Sequence, residues 1–326
     1  MGTFSVISVE ANDKYSERYR AFNLFGNKFK KIIMPYMPDY LYGIIKDMGL
    51  QDTSITGYRI CVPPLNDNKE LMLRNIRRAI GKGNRLGADI FVVDLDAQFE
   101  DTVNNDRLKI SKGLLYPPYI FINAIKTVSA LMGINFQRCN ICIADAATTL
   151  GTIVTELLLC ETAYLTLCTD NKEKLMERTN DYILESGLSP AVASNYRKAI
   201  CACDILIYTG NENIGELSSY LCKKSILVNL TNQEIVLEKD ILVIDEVILK
   251  GGRDPDIKIK NPHDAIPLTS RLWEGALLTL TDIDPVSINS AKALKLGSLG
   301  EKLGIRITTI NGKGKTIDRE SVYRFK

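Results

Sequence analysis

The sequence predicts an α/β protein built on a doubly wound parallel sheet, with a second α/β domain beside it, and three observations predict that class. First, DILIYTG at 204–210, SILVNL at 225–230 and ILVID at 241–245 are short apolar runs. Central parallel strands read this way because helices cover both their faces. Second, NICIADAATTLGTIVTELL at 140–158 reads as a buried strand, a short turn and an amphipathic helix, the unit that opens a Rossmann-like domain. Third, the first half carries its own alternation. ITGYRICVPPL at 55–65 is a strand stopped by Pro-Pro, 69–87 a helix, and DIFVVDL at 89–95 the next strand.

The remaining elements follow in order. PPYIFINAIKTVSALMG at 117–133 has Pro at its start and Gly at its end, the asymmetry of a helix, and bridges into the second half. AYLTLC at 163–168 is a second strand, and 172–186 is a helix with Leu175, Met176, Tyr182 and Ile183 at helical spacing. The parallel sheet should therefore have about five or six strands. Helices at 269–281 and 287–304 lead to a strand at 305–310, and the following GKGKTIDRE reads as exposed. The expected organisation is an N-terminal α/β substrate-type domain over 1–120, a Rossmann-like domain over 121–265, and C-terminal helices over 266–326 that return to the first domain. No internal repeat or low-complexity tract interrupts it.

Composition narrows the function classes. With 326 residues, 45% hydrophobic, the chain can bury a core in each of two domains. Lys+Arg 41 against Asp+Glu 39 leaves a net charge of +2, too balanced for the many phosphate contacts that hold nucleic acid. No apolar stretch approaches the roughly 20 residues of a membrane span. The start MGTFSVISVEAND lacks the basic and apolar regions of a signal peptide, and Val6 stands where a myristoylation signal has Ser or Thr. These features point to a cytoplasmic protein without a membrane partner. Most of the 8 cysteines lie in apolar runs and read as buried thiols. Cys139 with Cys142 and Cys201 with Cys203 could be imagined as a zinc set, but the first pair runs into a strand rather than a knuckle loop. His263, the single histidine, falls in a turn and reads as a solvated loop residue.

The chemistry of the 145–152 turn is unusual. A Rossmann turn uses glycines for its bend, for backbone approach to a pyrophosphate and for helix–strand packing. Here those places fall on Asp145, Thr148 and Gly151, so only the packing glycine remains. Asp145 sets a carboxylate where a phosphate would arrive, an electrostatic conflict unless it is protonated or bridged by a cation. Hydroxyls of Thr148, Thr149 and Thr152 at the helix N-terminus are the candidates to assist the backbone N–H groups there. Asp170, about 20 residues past the turn and followed by Asn171, lies where an acidic side chain takes the ribose hydroxyls of NAD; an Asp before a helix also serves simply as an N-cap.

In this order the elements resemble the acyl-carrier-protein reductases that form fatty aldehydes and the predicted amino-acid-dehydrogenase-like proteins around them. The likeness runs through 69–95, SKGLLYPPY, the 140–158 unit, CTDNKEKL, and the helix carrying Trp273, Glu274 and Gly275. The resemblance implies an NAD(P)-dependent oxidoreductase with a small-molecule or carrier-bound substrate. Of the family's Thr-Thr-Gly-Asn type turn, here Ser111, Lys112 and Gly113, only the Gly is kept, and three further departures bear on chemistry. The family's glycine-rich turn has become Asp145 to Gly151, and where it carries an Arg after the second strand, suited to an NADP phosphate, this chain has Asp170 followed by the retained Asn171. Where the family carries an acylated Cys three residues before the Glu of its C-terminal helix, this chain has Arg271 before Glu274. An arginine forms no thioester, so acyl reduction by that route should be absent. CVPPL is also weakly similar to the strand end of shikimate-type dehydrogenases, with Leu65 in place of their catalytic Lys.

Three groups thus stand as candidate sites. Lys112 and Arg271, with Glu274, are placed near the family's reacting centre, where two cations would suit a carboxylate or phosphate; two surface charges are the plainer reading. Asp145, Thr148, Thr149, Gly151, Thr152, Asp170 and Asn171 make the NAD set. Arg74, Arg77, Arg78, Lys82 and Arg85 form a basic stripe on the 69–87 helix, a solvated face that an acidic carrier protein could also dock upon. The rival to a working oxidoreductase is a lapsed Rossmann protein that binds a ligand or partner without catalysis, and oligomerisation is left open.

Overall fold

The computed structural model describes residues 2–9, 33, 36–50, 53–63, 69–94, 108–210, 213–222, 224–231, 241–259 and 266–325. In chain order the first elements are β1 (Gly2–Val9), β2 (Tyr40–Asp47), β3 (Ile55–Val62), α1 (Lys69–Arg85), β4 (Ile90–Asp94) and β5 (Lys109–Ser111). The middle holds α2 (Tyr116–Met132), β6 (Asn140–Ala144), α3 (Thr149–Leu158), β7 (Tyr164–Cys168), α4 (Lys172–Ser186), β8 (Ala191–Ala193), α5 (Tyr196–Cys201), β9 (Ile205–Tyr208), α6 (Ile214–Ser219) and β10 (Ile226–Asn229). The chain ends with β11 (Leu242–Ile244), β12 (Glu246–Lys250), β13 (Asp256–Ile259), α7 (Ser270–Leu278), α8 (Ser290–Lys302), β14 (Arg306–Gly312), β15 (Lys315–Thr316) and α9 (Arg319–Phe325). His263 and Leu65 lie outside the described residues.

The chain divides into two compact units, one of residues 1–113, 250–287 and 299–305, the other of 114–249, 288–298 and 306–326. The stretch 266–326, expected to return whole to the N-terminal half, is shared between them, and α2 belongs to the second unit.

In the first unit a six-stranded mixed sheet runs β13-β2-β3-β1-β4-β5. β1 pairs in parallel with β3 and β4, while β2 is antiparallel to β3. Met72, Ile76, Ala79 and Ile80 of α1 close over Ile7, Ile60, Phe91 and Val93 on one face, the i, i+4, i+7 stripe that an amphipathic helix buries. α7 packs on β1 and β4. Its Gly275, and Gly57 of β3, leave the space that the Phe4 ring fills; a Cβ at either would overlap that ring.

The second unit holds the doubly wound sheet. Six strands run in the order β11-β10-β9-β6-β7-β8, and every neighbouring pair is parallel. Read from β6 as the first strand, this is the Rossmann order 3-2-1-4-5-6. β9 and β10 are buried at every position, as helix-covered parallel strands are; the 241–245 run, expected among the central strands, forms edge strand β11, which is buried too, whereas the other edge strand, β8, is not. α2 opens with prolines in its first turn and ends at Gly133, φ 72°. The Gly133 and Ile134 N–H groups bond back to Ala130 and Ser129 carbonyls, a left-handed C-cap that glycine adopts without a Cβ penalty. A small sheet β12-β14-β15 completes the unit, with the 312–320 stretch forming a hairpin turn and the start of α9. Among the described residues no helix is long and apolar enough to cross a membrane.

Candidate functional site

The strand order reverses between β6 and β9, and in open α/β sheets ligands bind beyond the carboxyl ends of the strands at that point. β6 ends at Ala144, and the chain turns at once. Asp145 takes φ 58°, the left-handed bend for which glycine is the usual residue and Asp a tolerated one. The turn is tied from several sides. Thr148 donates through its N–H (3.0 Å) and its hydroxyl (2.9 Å) to the Asp145 carbonyl. Thr209, just past β9, donates its hydroxyl to the Ala144 carbonyl at 2.7 Å. Gly151 packs so closely that a Cβ would lie 2.6 Å from the Asp145 carbonyl oxygen and 2.7 Å from Ala146 Cα. The helix and the strand end can meet only because residue 151 has no side chain.

Tertiary placement redirects the Asp145 carboxylate. The Tyr196 hydroxyl, from the first residue of α5, donates to its Oδ1 at 2.7 Å. The side chain lies over Gly210, where a Cβ would overlap the carboxylate itself. The carboxylate thus sits within the reversal point, spanning from the end of β6 to α5 across the end of β9, and it is hydrogen-bonded rather than bare. Tyr196 and Gly210 were both missed from sequence. Gly210 stands two residues past the end of β9, where a glycine is a signal for close backbone approach, but a tyrosine opening a six-residue helix carries no local sign of its role.

The threonines also differ from expectation. Thr148 caps α3, accepting the Gly151 N–H at 3.0 Å while its own proton goes to the Asp145 carbonyl. Thr152 gives its proton to the Thr148 carbonyl at 2.9 Å and accepts from Arg178 of α4. A hydroxyl has one proton to donate, so both are committed within the fold as donors. Thr149 is exposed and, with the first N–H groups of α3, is what the helix end offers an anion. Beside it lies a pocket of about 320 Å³ lined by Thr149, Thr152, Glu156, Arg178 and Asn289. Burial, then the charge of Glu156, raises the pKa of the adjacent Tyr182 phenol, with Arg178 acting against both.

Asp170 and Asn171 stand just beyond β7, the strand next to β6, and both are exposed. The Asn171 N–H bonds to Thr169 Oγ1 at 3.1 Å. This is the position in the topology where an acidic residue meets a ribose.

In the first unit the structure brings Ser111, Gly113, Arg271 and Glu274 together. Glu274 is 0% exposed and accepts the Ser111 hydroxyl proton, and the Gly113 N–H bonds Ser111 Oγ at 3.2 Å. Gly113 has φ 69°, and a Cβ there would lie 3.2 Å from Arg271 Cδ. Lys112 and Arg271 are each half-buried. In this arrangement Glu274 holds the Ser111 turn against α7.

The basic residues of α1 lie on its outer side, with Arg74, Arg77, Arg78 and Arg85 exposed and Lys82 half-buried. Lys82 and Arg78 pair with Asp39 at 3.1 and 3.8 Å, and Arg74 stacks over Tyr36. The cysteines are all free. Cys142 lies 3.5 Å from Cys168 and shares a core with it and Cys203, and hydrogen bonding to these thiols and burial raise its pKa. Burial, helped by Asp204, pushes the Cys139 thiol up to about 11. Such thiols stay protonated at neutral pH. Among the described residues no group of three or more His, Cys, Asp or Glu side chains could hold a metal ion.

No family model matches the chain, and no curated protein matches its sequence; the acyl-carrier-protein reductase resemblance rests on motif order alone. Several solved structures share parts of the fold. A dipicolinate synthase component from Bacillus halodurans is 10% identical, covering 74% of this chain and 88% of that one with TM-score 0.35. L-tryptophan dehydrogenase from Nostoc punctiforme is 12% identical over 73% and 65%, TM-score 0.32. A thermostable alcohol dehydrogenase from Pyrobaculum aerophilum is 15% identical over 40% and 39%, TM-score 0.29. The chain thus spans less than half the length of that alcohol dehydrogenase. The fold assignment stands on the strand order and pairing.

Proposed function

We propose that the second unit binds NAD or NADH at its reversal point and that the chain is a dehydrogenase-type oxidoreductase acting on a small-molecule or carrier-bound substrate. The observation that carries this reading is the wholly parallel 3-2-1-4-5-6 sheet with the α3 N-terminus directly after its first strand. The first turn residue takes the left-handed bend of a Rossmann glycine, and Gly151 keeps the packing role of the last one. The pyrophosphate is held by the first N–H groups of α3 and by Thr149. Asp170 takes the ribose hydroxyls and repels a 2′-phosphate. When bound, the nicotinamide group accepts or donates hydride. Lys112 and Arg271 orient an anionic substrate group, and the Arg-rich face of α1 docks the carrier where one is used.

Calorimetry with NAD, NADH and NADP tests this. NAD should bind more tightly than NADP, and Asp170→Ala should erase the preference. The absence of binding by any of them, in protein whose folded state is confirmed by circular dichroism, would overturn the reading.

A second reading, a non-catalytic ligand-binding module, is favoured by the Asp145 carboxylate being seated in the reversal point and bonded to Tyr196. It is further favoured by a guanidinium at position 271, which is non-nucleophilic at any working pH. Under it, dinucleotides bind weakly or not at all, and no aldehyde forms from acyl carrier protein substrates with reduced cofactor.

A further inference from the structure

We propose that Cys201 and Cys222 form a reversible disulfide, a modification site at the rim of the second unit that acts on the helix carrying Tyr196. Both cysteines are free and exposed, unlike Cys142, Cys168 and Cys203 in the neighbouring core. They close two adjacent short helical segments: Cys201 is the last residue of α5, and Cys222 follows α6 by three residues. Their contacts cross. Cys201 Sγ–H donates to the Tyr220 carbonyl at 3.3 Å, and Cys222 Sγ–H donates to the Cys201 carbonyl at 3.2 Å. A thiol in hydrogen-bond contact with the other cysteine's own carbonyl places the two residues side by side, and each sulfur has to turn from the carbonyl it contacts toward the other to meet the geometry a disulfide requires.

The chemistry needs a mild two-electron oxidant, and a peroxide supplies it. One thiolate attacks a peroxide oxygen, the O–O bond breaks, and the sulfur is oxidised to a sulfenic acid as the peroxide is reduced to water. The second thiolate attacks the sulfenic sulfur, forming the S–S bond and releasing the second water. Two thiols and one hydrogen peroxide thus become one disulfide and two waters. A dithiol reductant reverses the bond by exchange.

The consequence reaches the reversal point through α5. That helix has six residues: Cys201 ends it, and Tyr196, which holds the Asp145 carboxylate at 2.7 Å, begins it. A covalent tie at one end of so short a helix suppresses its local opening, so the oxidised form holds the Asp145–Tyr196 contact closed. None of this requires that a dinucleotide bind.

The test treats reduced full-length protein with stoichiometric hydrogen peroxide, blocks remaining thiols by alkylation, and maps peptides alongside intact mass. The expected product is monomeric, has lost two hydrogens, and joins the peptides of Cys201 and Cys222. Dithiothreitol reverses it, and Cys201→Ser and Cys222→Ser each abolish it while far-UV circular dichroism confirms the fold. Hydrogen exchange across 196–201 should slow on the order of tenfold on oxidation. Sulfenic or sulfinic acid persisting on either cysteine without a cross-link, or a link to Cys160 or to a second chain, would overturn the pairing. Unchanged exchange at 196–201 in the cross-linked protein would overturn its action on α5.

Discussion

Gly151→Ala isolates the contact that shapes the α3 turn. The added methyl would sit 2.6 Å from the Asp145 carbonyl oxygen, 2.7 Å from Ala146 Cα and 2.9 Å from Ala146 C. All three are backbone atoms, so no rotamer change relieves them, and the cost falls toward the upper end of the ~1–3 kcal/mol for overpacking. Opposing it, Ala gains about 1 kcal/mol over Gly as a helix residue. The net loss should be about 1–2 kcal/mol, on the order of a tenfold drop in the stability constant. Gly81→Ala is the matched control. It lies within α1 with nothing within 4 Å of its would-be Cβ, so only the helix gain remains and stability should rise by up to about 1 kcal/mol. Urea unfolding gives the global effect, and hydrogen exchange over 140–158 and 69–85 assigns it to an element. Opposite signs support the reasoning. A Gly151→Ala protein as stable as its parent, with unaltered exchange at 140–158, would refute the close approach of α3 to the end of β6.

Three further outcomes follow from the geometry. Glu274→Ala removes the acceptor of the buried Ser111 hydroxyl and should cost about 1–3 kcal/mol; Ser111→Ala takes a hydrogen bond from a buried carboxylate and from the Gly113 N–H and should cost at least as much, and the double variant less than the sum, as chemical denaturation will show. Burial raises the Asp245 carboxyl above its ordinary value, the Lys313 N–H pulling the other way. The folded state therefore binds that proton more tightly than the unfolded chain, and the stability this contributes is lost as pH rises through the raised value. Asp245→Asn should be more stable than its parent near neutrality, with the gap closing in acid, read from urea midpoints across pH. Asp145→Gly relieves a non-glycine residue at φ 58° at the expense of its bond to Tyr196, and it clears the reversal point of a carboxylate. NAD affinity by calorimetry should rise; an unchanged or weaker affinity would count against a phosphate arriving there.

What the sequence determined by itself was the alternation and its punctuation. Apolar runs at 205–208 and 226–229, the prolines and Gly133 that bound α2, and Gly151 after a strand–turn all act through local backbone and burial preferences, so they could be read one segment at a time. Strand β2 is not legible in the same way because its alternation is broken, and β13 because its four residues, though alternating, are too few and too exposed to stand out. The candidate site was legible where it is made of consecutive residues. Asp145 and Gly151 stand at the bend and at the packing contact because a turn's chemistry is local, and Asp170 lies beyond the neighbouring strand because sheet order follows from the unit that begins it. The tertiary structure alone decided where the Asp145 carboxylate goes, since its partner Tyr196 and the bare backbone of Gly210 come from elements dozens of residues away. It likewise decided that Thr148 and Thr152 spend their protons on the fold, and that Cys201 meets Cys222. Each depends on side chains from separate elements meeting at a distance of about 3 Å, a relation that no periodicity or spacing along the chain encodes.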